Sequence, residues 1–307
     1  MPALFRLVRF PNLLVVALTQ YLLHQWVIAV PVQQSGLSRH LSDFHLWALI
    51  AATVMVAAGG YLINDIFDQA IDRYNQDHSR LAYSGVREKT AAWLFFFSIS
   101  SSFLLSLWLA LQLNELSWLW LFPAAAGALY LYSQFVKPSP FAGNLLVAIL
   151  CAGVAALVLL AERQSLAALQ QRAPLLWSKA MTTSAIFMAY AFLVTLAREI
   201  VKDLEDMRGD ARFQRKTLPI VLGVGPAKRL VILLLALLSI LLALPSLQGW
   251  AAFSGYGLRA YTFLLLGITF VCGWMLLRAT SEEEYFYVSS MLKGLIAAGL
   301  GFLYLTD

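Results

Sequence analysis

Long apolar runs alternate with short polar stretches from one end of the chain to the other. A helix needs about 20 apolar residues to cross a bilayer. Nine runs qualify, at roughly 12–33, 44–64, 90–112, 115–134, 143–161, 178–200, 227–247, 261–278 and 285–305. The pattern predicts an all-α, polytopic membrane protein. Only a short turn near Asn114 parts the third and fourth runs. Lys293 sits in the middle of the ninth, so that position must face protein or water. Two polar stretches, about 65–89 and about 202–226, are long and highly charged, and the others are shorter or blander. They follow the second and sixth helices, a spacing that hints at an internal duplication. No linker or low-complexity segment divides the chain. A single transmembrane domain over 1–307 is therefore expected, capped by the two charged stretches.

Composition strengthens this picture. Of the 307 residues, 60% are hydrophobic and 13% charged, against about a quarter charged in soluble domains. That is too little polar surface to cover a water-soluble globule. The N-terminal MPALFRLVRFPNLL imitates the basic and apolar regions of a signal peptide. No small-x-small cleavage site follows it, so an uncleaved first helix is expected. Cys151 and Cys272 both lie in apolar runs and read as buried small hydrophobes, not a disulfide.

The net charge is +5. With the N-terminus in the cytoplasm, 16 of the 22 Lys and Arg fall in cytoplasmic segments and five on the other side, with Lys293 intramembrane. Positive loops stay inside, so a multi-pass protein with N-terminus in and C-terminus out is expected. The excess is explained by topology. No base-reading motif accompanies it, so no nucleic acid partner is expected, nor any obligate protein partner.

Candidate chemistry is concentrated in two acidic strings. The first, YLINDIFDQAIDRYNQ, holds Asn64, Asp65, Asp68 and Asp72. The second, REIVKDLEDMRGD, holds Asp203, Asp206 and Asp210. On a continuing helix, Asn64, Asp68, Asp72 and Asp65 fall at about 0°, 40°, 80° and 100°. Asp206 and Asp210 fall about 60° and 20° behind Asp203. Each set occupies one face, while Glu205 points away and is expected to be solvated. Carboxylates stacked on one helical face repel one another. Two such faces call for a cation, and hard oxygen ligands suit Mg²⁺ bridging to substrate phosphates. Metal and carboxylates beside an apolar cavity could hold a diphosphate and neutralise it as it leaves. Lys137, Lys202, Arg80, Arg212, Arg215 and Lys216 are candidate phosphate cations, Lys137 and Lys202 foremost because they lie closest to helix ends. Tyr61, Phe67, Tyr130, Tyr132 and Tyr190 are candidates to face an allylic cation. The four histidines form no cluster at ligand spacing.

These strings resemble the UbiA-type superfamily of intramembrane prenyltransferases. Asn64 to Asp72 is similar to that family's N-D-x-x-D-x-x-x-D, and Asp203 to Asp210 to its D-x-x-D-x-x-x-D. YSQFVKPSPFAGNLLVA resembles its Tyr-to-Lys motif after helix four, and RKTLPIVLG its Lys-Thr-Leu-Pro segment. The resemblance implies nine helices around a central cavity, a cytoplasmic cap, and a prenyl chain in a cavity open to lipid. It implies Asn64, Asp68, Asp206 and Asp210 as ligands of Mg²⁺, with Asp65, Asp72 and Asp203 as catalytic or supporting carboxylates. Lys137, Lys202, Arg80, Tyr132, Asn144 and Lys216 would bind the diphosphate substrate.

The wording of REIVKDLEDMRGD is most like the branch of geranylgeranylglycerol-phosphate geranylgeranyltransferases. The implied reaction is Mg²⁺-dependent transfer of a prenyl group from a prenyl diphosphate to a lipophilic, glycerol-phosphate-type acceptor. A hydroxyl acceptor loses a proton, and Asp65 or Asp203 could take it. The chain departs from the family where Asn-x-Pro-x-Arg-Pro often follows the first string. Here Asn75 to Leu81 has no proline and one extra residue. Two other readings stand beside this one. An aromatic prenyltransferase of quinone synthesis needs an arginine clamp for an acceptor carboxylate, and Arg198 is the candidate. A cation-coupled transporter would place its acids at the bilayer midplane, whereas here they gather at one surface beside basic loops.

Overall fold

The computed structural model describes residues 3–75, 81, 84–247 and 255–305. Among these there is no strand, and nine helices are long and apolar enough to cross a membrane. They are α1 (Phe10–Gln34), α2 (Asp43–Tyr74), α3 (Glu88–Gln112), α4 (Trp118–Val136), α5 (Ala142–Ala161), α6 (Pro174–Glu205), α7 (Val224–Pro245), α8 (Tyr256–Arg278) and α9 (Glu282–Tyr304). The apolar runs located these helices to within a few residues, with two informative exceptions. Helices α2 and α6 are 32 residues long, well beyond the ~20 that crossing requires. Their extra turns carry the acidic strings. The first ten residues of the expected loop 65–89 are therefore helix. Ile66 and Ile71 carry apolar packing into those turns, and Ile71 is buried. The expected loop 202–226 likewise contains the short helices Met207–Arg212 and Leu218–Leu222.

By its internal contacts the chain forms two compact units. One comprises residues 1–18, 41–143 and 208–216, and the other 19–40, 144–207 and 217–307. In the first, α2 packs along both α3 and α4. Gly59 and Gly60 permit this close approach. A Cβ on Gly59 would come within 2.8 Å of Ile99, and one on Gly60 within 2.8 Å of Leu129. Ser102 stitches α3 to α2 by donating to the carbonyl of Ala52 at 3.0 Å. Helix α4 ends in a wide π turn, Tyr132–Val136, closed by the Lys137 amide donating to the Tyr132 carbonyl at 2.8 Å. Pro138 follows and has no amide to extend the helix.

In the second unit, α6 is the central helix, packed by α7 and α9. Tyr190 on α6 lies over Gly299 and donates to the Leu295 carbonyl of α9. A fully buried pair, His24 and Glu162, ties α1 to the end of α5 at 3.0 Å. His24 belongs to a π-helical segment, Leu23–Ala29. Both cysteines are free; Cys272 is buried and Cys151 exposed.

Candidate active site

Asn64, Asp65, Asp68 and Asp72 are all buried, and Asp65 is 1% exposed. They occupy the last three turns of α2, and only Asp72 lies in the final turn, where the helix dipole adds negative charge. Carboxylates in that position require cations, and the first unit supplies three. Lys137, held by the π turn of α4, donates to Asn64 Oδ1 at 3.1 Å and to Asp68 Oδ2. Arg215 pairs with Asp68 Oδ1 at 2.5 Å and faces Asp210 at 3.6 Å. Arg9 pairs with Asp65 at 2.9 Å. Asn64 Nδ2 in turn donates to Asp68 Oδ2 at 2.9 Å, so the amide oxygen is turned toward the lysine. Burial alone would lower the Arg215 guanidinium's affinity for its proton; Asp68 and Asp210 beside it more than offset that and hold it charged.

Residues 208–216 are placed by backbone contacts. The Arg215 amide donates to the Asp210 carbonyl at 2.9 Å, and the Lys216 amide to the Pro138 carbonyl at 2.9 Å. Between them Gln214 takes a left-handed φ of 56°. Lys216 is thus anchored through its backbone, and its side chain is exposed. Tyr132 rests on Gly143, where an added Cβ would lie 3.3 Å from its ring.

The second string does not lie on one continuous helix. Helix α6 stops at Glu205, Asp206 caps it, and Met207–Arg212 begins a new helix. The physical reason is at Gly209, whose Cα lies against Asn75 so closely that a Cβ would overlap the Asn75 amide. This seat bends the string at Asp206 and sends Asp210 to Arg215 in the first unit. In the second unit, Asn144 donates to Asp203 Oδ2 at 2.7 Å. Lys202 bridges Glu205 at 2.6 Å and Asp206 at 3.1 Å. Glu205 is therefore not a solvated carboxylate; its side chain is 15% exposed and shares a cation with Asp206. Arg80 lies outside the described residues, as do residues 76–79 of the divergent segment.

Among the described residues no three His, Cys, Asp or Glu side chains form a metal-ligating group. The donor set nonetheless fits a hard cation. The oxygens of Asn64 and Asp68 converge on one positive charge, the ammonium of Lys137, and an amide plus carboxylates is the ligand chemistry magnesium takes. Sequence reasoning gave Arg9 and Asn75 no part in the site. Only the motif-adjacent position of Arg215, one residue before Lys216, could have singled it out among the cations.

Among the described residues, nine helices of membrane-crossing length define a multi-pass membrane protein, with buried carboxylates near the end of α2 paired to cations. The UbiA prenyltransferase family model matches residues 26–292. The chain belongs to that family. It is 30% identical over 264 residues, 83% of its length, to a digeranylgeranylglyceryl phosphate synthase of Saccharolobus solfataricus, 84% of which is covered. For other synthases of that name the match takes in little more than half of their length. Among solved structures, it is similar to a digeranylgeranylglyceryl phosphate synthase (TM-score 0.64, 22% identity, 99% of this chain and 97% of that one). It is also similar to a UbiA homologue from Archaeoglobus fulgidus bound to GPP and Mg²⁺ (TM-score 0.53, 17% identity, 99% and 100%).

Proposed function

We propose that this chain transfers a geranylgeranyl group from its diphosphate to the free hydroxyl of geranylgeranylglyceryl phosphate, at the cytoplasmic face of the membrane, with Mg²⁺. The observation that carries this reading is the convergence of Asn64 and Asp68 on one cation, with Arg215 linking Asp68 to Asp210. Family membership supports prenyl transfer. The names of the relatives support the acceptor, and the distribution of Lys and Arg supports the cytoplasmic face.

Asn64, Asp68, Asp206 and Asp210 would hold the metal, which when bound offsets charge growing on the departing diphosphate. Lys137 and Arg215 would exchange a carboxylate partner for phosphate oxygens, with Lys202 and Lys216 as further cations. The allylic carbon–oxygen bond of the donor breaks and diphosphate leaves with the electron pair. The acceptor oxygen then bonds to that carbon and releases its proton. Asp203, oriented by Asn144, is the better placed of the two base candidates, because Asp65 is committed to Arg9. Tyr61 lies beneath Arg9, with the guanidinium 4.6 Å from its ring centroid. Its face is therefore covered, which leaves Phe67, Tyr130 and Tyr132 as the aromatic candidates in that unit. The relatives' names favour this acceptor over an aromatic one, and the clamp candidate for an aromatic acceptor, Arg198, is paired with Glu199 at 2.7 Å.

The test is turnover of labelled geranylgeranyl diphosphate by the purified chain with a panel of acceptors. Ether-lipid product from geranylgeranylglyceryl phosphate, abolished by EDTA and restored by Mg²⁺, is expected. Turnover of 4-hydroxybenzoate or dihydroxynaphthoate instead would reverse the choice of acceptor.

A further inference from the structure

Arg9 stands just before α1 in a left-handed conformation, φ 52°. Left-handed backbone is uncommon outside glycine and asparagine and disfavoured for a long side chain. Its carbonyl accepts the first amides of α1, from Asn12 at 2.8 Å and Leu13 at 3.3 Å. A capping position normally takes Ser, Asp, Asn or Gly; an arginine there needs another explanation. The side chain supplies one. Its guanidinium pairs with Asp65 at 2.9 Å and lies over the Tyr61 ring at 4.6 Å. Asn12, one turn on, donates to the Tyr61 hydroxyl at 3.3 Å. Tyr61 and Asp65 are one helical turn apart on α2 and enclose Asn64. Behind them Leu7 packs with Leu62, Leu81 and Ala91 in a buried cluster.

We propose that Arg9 is a positioning residue for the first acidic string: it neutralises buried Asp65 and grips the Tyr61–Asp65 turn so that Asn64 and Asp68 present their oxygens together. The proposal rests on the reading that Asn64 and Asp68 hold the metal. Asp65 is then a tether and not the base. The left-handed backbone at Arg9 is maintained because it brings the guanidinium to buried Asp65, in a stretch that also carries Asp68 and Asp72.

The 307-residue chain, with Mn²⁺ as probe and inorganic diphosphate present, separates this from a merely structural role. Arg9→Ala should weaken Mn²⁺ binding, read by electron paramagnetic resonance, by about tenfold or more, the scale for losing a group that orients metal ligands. Adding Asp65→Asn should weaken binding by no more than about twofold further, because both substitutions break the same contact. Arg9→Lys should fall between wild type and Arg9→Ala. Thermal melts establish that each variant is folded. Unchanged Mn²⁺ binding by folded Arg9→Ala, or a double variant in which the two losses add in full, would overturn the proposal. If Arg9→Ala does not fold, Asp65→Asn alone decides: a loss of about tenfold, smaller than that of Asp68→Ala, supports a tether, and unchanged binding or a loss as large as that of Asp68→Ala refutes it. A wild-type protein that binds no Mn²⁺ would instead overturn the metal reading itself.

Discussion

The two acidic strings look alike in the sequence and differ in the folded chain. The first runs along an unbroken helix with its three aspartates buried, and each of Asp65 and Asp68 is tied to cations from distant segments. The second bends at Asp206, and its Asp206 is 32% exposed and paired only four residues back along its own chain. Rigid placement in one and a hinge-like cap in the other suggest different tasks. The first string draws its cations from segments distant in sequence, and Asp206 of the second draws one from its own helix.

Substitutions in both strings sharpen or break this contrast. The largest effect is expected from Asp68→Ala, which strips Lys137 and Arg215 of their shared partner. Turnover of labelled donor should fall by about 10²–10³-fold, the scale for losing one preorganised electrostatic contact. Asp206→Ala should fall by distinctly less, and equal losses would end the distinction between the strings. Gly209→Ala comes next. Its Cβ would overlap the Asn75 amide, displace Asp210 and lower turnover by about 10²-fold, as small misplacements near a reacting centre do. Asn75→Ala in the same chain should return most of that loss by making room; no recovery would remove the seat as the cause of the bend. The smallest effect is expected from Glu205→Ala. Lys202 keeps Asp206, and exchanging one partly exposed pair moves free energy by about 1 kcal/mol or less. A loss as large as that of Asp68→Ala would place Glu205 in the site itself.

Much of the fold was legible because a bilayer imposes one simple demand, that backbone groups be satisfied inside an apolar helix. The runs found all nine helices but ended α2 and α6 too early. Charged side chains close the apolar window, while the i→i−4 bonding beneath them continues through Tyr74 and Glu205. The facing of Asn64 and Asp68 could be read from helical spacing alone. The partners that orient them could not. Arg9 and Asp65 are 56 residues apart, and Arg215 and Asp68 are 147 apart, distances over which no local periodicity carries information. The break at Asp206 was hidden for the same reason, since it depends on what Gly209 rests against.

The π turn at Tyr132–Val136 has a consequence for how this chain can vary. A wide turn holds one residue more than an α turn at nearly the same length. Either kind of turn completes one revolution, so removing one residue here would let α4 close into ordinary helix with little change in span and with Lys137 still in phase with Asn64 and Asp68. A residue removed from the plain α turns before it would instead rotate Lys137 by about 100° while the helix still crossed the membrane. The turn is a one-residue slack that absorbs a change of length without a change of facing. Single deletions within Tyr132–Val136 should thus be far better tolerated in activity than single deletions in the ten residues before it.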